Sequence, residues 1–381
     1  MPPVRPVYLD QLETPAAVVD LDRLHHNLDR MAAYAAMNGL ALRPHVKTHK
    51  APRIAAEQLR LGALGLTCAT VREAEVMAEL SDDILVAFPI FGTVKLRRLM
   101  NIPPRVKLTV SLDSSRAALQ LAAAAEEAGR EVGVLVEIDV GMRRVGVADA
   151  AAALELAALV AERPPLRYEG IAFYPGHVRQ HASAQGAALA QVARDVAETV
   201  ETLRAAGLDP KIVSGGSTPA AWRMHEVVGL TEIRPGTYVY NDRTTANVGA
   251  CEWDECALTV AATVVSTAVP GKAVIDAGTK ALAREPLDTS VAPGVDGQGW
   301  GALLDHPEVV VARMSEEHGI LDLSRTEWRP KVGEVVQVVP NHVCVVVHLN
   351  DVVYGVRGDV VETRWPVSAR GREAPELMPA Y

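Results

Sequence analysis

The chain has 381 residues, 49% of them apolar and 22% charged, with a formal net charge of −9. That is enough chain for more than one domain and enough apolar surface for a packed core, while the acidic balance excludes a general attraction to nucleic acid or to an anionic membrane. Cys68, Cys251, Cys256 and Cys344 are too sparse for a disulfide framework, MPPVRPVYLDQLETP has no apolar signal-peptide core, and no apolar run approaches the roughly 20 residues that span a bilayer, so a soluble cytoplasmic protein is expected.

From residue 15 to about 240, short β-branched runs alternate with longer Ala/Leu/Glu/Arg-rich segments. AAVVDL reads as a strand and LDRLHHNLDRMAAYAAM as a helix. ALRPHVK, GLTCAT, DILVAFP, KLTVSLD, VGVLVEIDV, LRYEGIAFY and KIVSGG follow as further strands, each trailed by a helix-like stretch, and LTEIRPGTYVY closes the series. Eight or so such units predict a parallel sheet covered by helices, most simply a (β/α)8 TIM-type barrel over residues 15–245. An open doubly wound sheet is the alternative, but no Gly-x-Gly-x-x-Gly turn follows AAVVDL. Beyond residue 250 the chain becomes Val-rich, with Gly, Pro and Asp punctuation and hardly any helical signal. Residues 246–381 together with 1–14 therefore read as a second, all-β domain.

ALRPHVKTHK, residues 41–50, packs Arg43, His45, Lys47, His49 and Lys50 into one strand slot, the second of the series. Side chains at the C-terminal ends of barrel strands reach the active site. Lys47 near that end, partly desolvated among the other four cations, has the setting of a lysine that forms a Schiff base with an aldehyde. A solvated basic strand end is the competing reading. VSGGSTPAAW supplies Ser214, Gly215, Gly216, Ser217 and Thr218 at a helix start, and the next strand end adds Gly236 and Thr237. Backbone N–H groups and hydroxyls there suit a phosphate, and barrel phosphate sites tend to follow the last two strands. His342 and Cys344, two apart in the β-like run VVPNHVCVVV, would share one face of a strand as half of a metal site, or be a core histidine and a buried thiol.

RPHVKTHK and PNHVC, with the ordered set between them, resemble the pyridoxal-phosphate (PLP) enzymes of the alanine racemase fold. The likeness is to the branch of D-threonine aldolase and eukaryotic-type D-serine dehydratase, and it runs from LETPAAVVDLD to WPVSARGR. The resemblance implies that Lys47 is the Schiff-base lysine, with His45 beside it. It implies that Arg144 of VEIDVGMRRVGV faces the cofactor ring, that Tyr174 of AFYPGH stands at the seventh strand end, and that Ser214, Gly215, Gly216, Gly236 and Thr237 cradle the phosphate. Arg234 resembles the arginine that alanine racemases set against the pyridine nitrogen, a departure from the neutral residue of the aldolases. The catalytic set is then Lys47, His45, Arg144 and Tyr174. His342 and Cys344 would hold a divalent metal (zinc, manganese, magnesium or cobalt) that binds the substrate's β-hydroxyl. His177 is a further candidate base, His318 of EEHG a residue able to approach an active site, and Cys251 with Cys256 are structural.

The expected activity is cleavage of D-3-hydroxy-amino acids to glycine and an aldehyde. The alternatives are D-serine dehydratase-like elimination to a 2-oxo acid and ammonia, and PLP binding without catalysis. The last is typical of barrel-only relatives that lack the β domain. A small-molecule D-amino-acid substrate, a homodimer, and neither nucleic-acid nor membrane partners are expected.

Overall fold

The computed structural model describes residues 6–287 and 299–372. Eight parallel strands, Ala41–Leu42, Leu66–Cys68, Asp83–Val86, Lys107–Leu112, Val132–Ile138, Leu166–Phe173, Ile212–Gly215 and Glu232–Ile233, form one sheet whose first and last members pair. A parallel bridge between His45 and Thr67 joins the first strand to the second and closes the barrel. Helices cross between the strands, and each buries an apolar stripe. In the helix Leu21–Met37 the stripe is Leu21, Leu24, Leu28, Met31 and Ala35, and the Asp20 carboxylate accepts from the N–H groups of Asp22 and Arg23 to cap its start.

The barrel interior is unusually polar. Leu85, Leu135 and Ala172 make a small apolar plug. Around it, inward positions on the strands carry buried Arg43, Thr109, Ser111, Glu137, Ser214, Glu232 and Arg234. Alternation along each strand puts the apolar partners of these residues outward, under the helices.

The second sheet has ten strands, including Leu258–Ser266, Val335–Pro340, Val352–Arg357 and Val360–Pro366. It also takes the strand Ala16–Asp20, which pairs antiparallel with Leu258–Ala261 and parallel with Tyr354–Val356. The AAVVDL run is therefore not a barrel strand. Lys47 consequently follows the first barrel strand rather than the second, and Tyr174 follows the sixth rather than the seventh. The stretches carrying Gly216 and Gly236 follow the seventh and eighth.

The Val-rich region is not strand throughout. Thr279–Leu282 and Val343–Leu349 are helices inside the β region. The run VVQVVPNHVCVVVHL breaks because Pro340 cannot donate to a ladder, and because Val343, Val346 and Val347 bury one helical face at i, i+3 and i+4. Among the described residues no helix is long and apolar enough to cross a membrane.

Candidate active site

A cavity of about 340 Å³ opens at the C-terminal end of the barrel strands, within the roughly 300–1,000 Å³ typical of small-molecule sites. Its walls include His45, Lys47, Glu137, Arg144, Tyr174 and Arg234, and one side is formed by Gly216, Ser217, Thr218, Gly236 and Thr237. Most of the residues singled out in the sequence thus converge on one space.

Lys47 lies in the turn after a strand of only two residues, not on a long strand. Its Nζ stands 5.7 Å from the centre of the Tyr174 ring, and the Arg144 guanidinium stands 4.6 Å from the same ring. Tyr174 therefore has two cations in cation–π range of its ring. The Arg144 loop is fixed from below: Asp139 Oδ1 accepts from Gly141 N at 3.0 Å and from Arg143 N at 2.9 Å, and Asp113 accepts from Gly146 N at 3.0 Å.

The expected crowd of cations around Lys47 does not form. Arg43 turns into the barrel, Lys50 forms an ion pair with fully buried Glu73, and His49 Nδ1 sits against the Ala51 backbone. Only His45 stays with Lys47 in the cavity. Burial, and then the charges of Lys47, Arg234 and Lys50, push the His45 pKa well below the ordinary histidine value, so its ring is neutral. Burial drives His49 down to about 3.

Two of the residues expected on the phosphate side lie outside the cavity. Ser214 faces the barrel interior, where its hydroxyl donates to Glu232 Oε1 at 2.6 Å and accepts from Arg234 Nη1 at 2.6 Å. Gly215 turns toward the Phe173 ring, and neither residue lines the cavity. The cavity wall on this side is formed by Gly216, Ser217, Thr218, Gly236 and Thr237. Gly216 has φ +111°, which a side chain rarely adopts, and Ser217 Oγ is buried without a hydrogen-bond partner in the protein. An unsatisfied buried hydroxyl beside glycine backbone, at the start of the helical turn Thr218–Glu226, fits a phosphate.

Ser214 belongs to a buried chain of polar groups beneath the cavity. Arg43 donates to Glu232 at 3.0 and 3.1 Å and to Asp83 at 2.6 Å; Glu232 accepts from Ser214; Ser214 accepts from Arg234, whose Nη2 also bonds the Phe173 carbonyl at 3.1 Å. Arg234 is thereby held with its remaining donors toward the cavity. Its side chain offers donors only, so it suits an acceptor atom on a bound ring.

His342 and Cys344 do not share a strand face. His342 caps the helix Val343–Leu349, and Cys344 lies in that helix's first turn. The extended backbone of the cap residue lets its ring fold back toward the thiol. Cys344 Sγ is 3.3 Å from Thr48 Oγ1 and 3.9 Å from Thr237 Oγ1, so the pair from the second domain meets the Lys47 turn and the phosphate side. Burial raises the thiol pKa, but His342 and Lys47 outweigh it and bring it below its ordinary value. Burial likewise opposes charge on His342, yet Cys344 and Asp242 raise its pKa to about 11. A thiolate and an imidazole together are a donor set for zinc, cobalt or another borderline divalent ion. Among the described residues no third His, Cys, Asp or Glu joins the pair.

His177 and His318 do not line the cavity. The His177 ring packs on Gly141, where an added Cβ would come within 3.0 Å of it, and its Nδ1 is buried without a partner. His318 lies in the exposed turn before the strand Gly319–Asp322. Cys251 and Cys256 are buried free thiols. Asp242 and Glu137 escaped the sequence reading: both are single acidic residues whose partners lie far away in the chain.

The family model described as Alanine racemase, N-terminal domain, matches residues 19–244, and a serine dehydratase domain model matches residues 257–356. D-threonine aldolase of Arthrobacter sp. is 34% identical over 380 residues, covering 97% of this chain and 96% of that protein. D-threo-3-hydroxyaspartate dehydratase of Delftia sp. is 35% identical over 87% of this chain and 91% of its own length. The crystal structure of D-threonine aldolase from Filomicrobium marinum superposes with a TM-score of 0.86 at 34% identity, covering 97% of this chain and 99% of that one.

Proposed function

This chain belongs to the family of D-threonine aldolase and D-serine dehydratase within the alanine racemase fold, and we propose that it is a lyase that cleaves D-3-hydroxy-amino acids with the help of PLP and a divalent metal. The observation that carries this reading is the meeting of two halves in one place. Lys47 and a glycine-lined cradle come from the barrel, and the Cys344 thiol from the second domain stands 3.3 Å from Thr48, the residue after Lys47. Such a site addresses an amine and a neighbouring hydroxyl at once.

When bound, PLP supplies an electron sink for the pair left on Cα, and the metal a Lewis acid for the β-oxygen. The remaining work falls to the protein. Ser217, Thr218, Thr237 and the backbone at Gly216 and Gly236 would hold the phosphate. Lys47 would hold the cofactor aldehyde, and its Nζ would be the group that carries a proton at Cα. Arg144 and Tyr174 would fix the plane of the ring, and Arg234 would donate toward its nitrogen, keeping that atom unprotonated. His342 and Cys344 would turn the β-hydroxyl toward the second domain, and neutral His45 is the cavity imidazole able to accept a proton. Head-to-tail pairing into a homodimer is part of this reading.

The same groups could serve elimination, since a relative of similar identity is a dehydratase. Product analysis separates the outcomes. D-threonine should give acetaldehyde and glycine, D-allo-threonine and D-3-phenylserine should also be cleaved, and L-threonine should not. Pyruvate and ammonia from D-serine, formed much faster than glycine from D-threonine, would replace the aldolase reading with the dehydratase one.

A further inference from the structure

Asp242 carries a role that the sequence did not signal. It follows the last barrel strand as the cap residue of the short helix Arg243–Asn247, where its Oδ1 accepts from Thr245 N at 2.8 Å. Its other oxygen, Oδ2, crosses to the second domain. There it accepts from Val343 N at 3.1 Å and stands 3.4 Å from His342 Nδ1. Val343 is the residue between His342 and Cys344, so one carboxylate holds both the ring of the first and the backbone that leads to the second.

The side chain of Asp242 is fully buried, whereas that of His342 is about one third exposed. Both oxygens of Asp242 already accept from backbone N–H groups, so it acts on His342 from behind rather than as a third ligand. It can determine which imidazole nitrogen is left for a metal. With Nδ1–H directed at the carboxylate, Nε2 is the nitrogen left to exchange its proton for a metal. A histidine ligand whose second nitrogen donates to a carboxylate has a fixed tautomer and greater basicity, and loss of such a partner typically weakens metal binding about 10–100-fold.

We propose that Asp242 is a positioning residue for the metal pair, fixing the His342 tautomer and the His342–Val343–Cys344 turn from the barrel side. The proposal rests on the reading of His342 and Cys344 as metal ligands. It goes beyond that reading by making metal affinity depend on a residue of the barrel's final loop, and so on the docking of the two domains.

The test measures metal affinity rather than turnover. PLP-loaded protein is stripped of metal, and zinc or cobalt binding is followed by competition with a chromophoric chelator. Asp242→Asn keeps the shape but presents an amide to His342. Asp242→Ser keeps a good helix cap, and so protects the fold, while removing the carboxylate. Both variants should bind metal about 10–100-fold more weakly than the parent, with unchanged cofactor absorbance and the same Cys344 thiolate-to-cobalt band at saturation. In a His342→Ala background, Asp242→Ser should weaken binding much less than it does in the parent, since only the hold on the Val343 backbone is left to lose. Parental affinity in both variants, or an equal further loss without His342, would overturn the positioning role. A parent protein that binds no metal would instead defeat the metal-pair reading itself.

Discussion

Arg43 is the residue whose loss should reveal most about how the barrel interior is held. Its side chain is 3% exposed and is shared by Glu232, also 3% exposed, and Asp83, 20% exposed. Burial lowers its pKa, but the two carboxylates outweigh that and raise it above the ordinary arginine value. Arg43→Met fills much of the volume and removes every donor. Asp83 can then turn to water, and Glu232 keeps only the Ser214 hydroxyl as a donor. Removing one partner of a buried ion pair costs about 3–5 kcal/mol. Because only one of the two carboxylates is stranded without access to water, the lower end, about 3 kcal/mol, is expected. Urea unfolding at pH 7, read by tryptophan fluorescence and circular dichroism, measures this directly. Adding Glu232→Gln to Arg43→Met should recover most of the loss, since an amide can be left with one partner more cheaply than a charge. A destabilisation under about 1 kcal/mol, or a double variant no more stable than the single one, would refute the reasoning.

Two other outcomes follow from the same geometry. Borohydride reduction of the PLP-loaded protein, followed by peptide mapping, should find the cofactor on Lys47 and not on Lys50, whose amine is engaged by buried Glu73; label on Lys50 would reverse the assignment. His49 is uncharged in the native state down to about pH 3 but takes a proton near 6.5 when unfolded, so the unfolded state gains the proton and native stability falls as pH drops below 6.5. Between pH 6.5 and 5 this residue alone should cost about 2 kcal/mol. His49→Gln should flatten that slope in urea titrations, and an unchanged slope would count against the assignment.

The barrel was readable because its signal is local. Alternating β-branched and Ala/Leu-rich runs need no knowledge of distant partners, and the Lys47, Gly216 and Gly236 stretches fall at strand ends by counting alone. Where the reading failed, the deciding partner lay far off in sequence. Ala16–Asp20 has the same composition as a barrel strand and joins the other sheet because Leu258–Ala261 and Tyr354–Val356 pair with it. Ser214 looks like a cradle hydroxyl until the inward register of its strand hands it to Glu232 and Arg234. Valine-rich composition hid the helix after Pro340, although the spacing of Val343, Val346 and Val347 carried it. Arg43, His49 and Lys50 sat beside Lys47 in sequence, yet strand alternation and the turn send them to different neighbours. The charge cluster therefore overstated the electrostatics around Lys47.

The placement of Ala16–Asp20 has a bearing on how the protein is made. As the chain leaves the ribosome, this strand emerges before any barrel strand, while both of its partners emerge after the last one. The barrel segments can close during synthesis, whereas Ala17, Val18 and Val19, buried in the finished molecule, must stay without ladder partners through most of elongation. A nascent chain stalled before residue 258 should thus display an unpaired apolar strand, a surface that chaperones recognise and that free strand edges invite to associate. A gene fragment cut at the end of the barrel inherits the same defect, so a soluble barrel is expected only from a fragment that begins after Asp20.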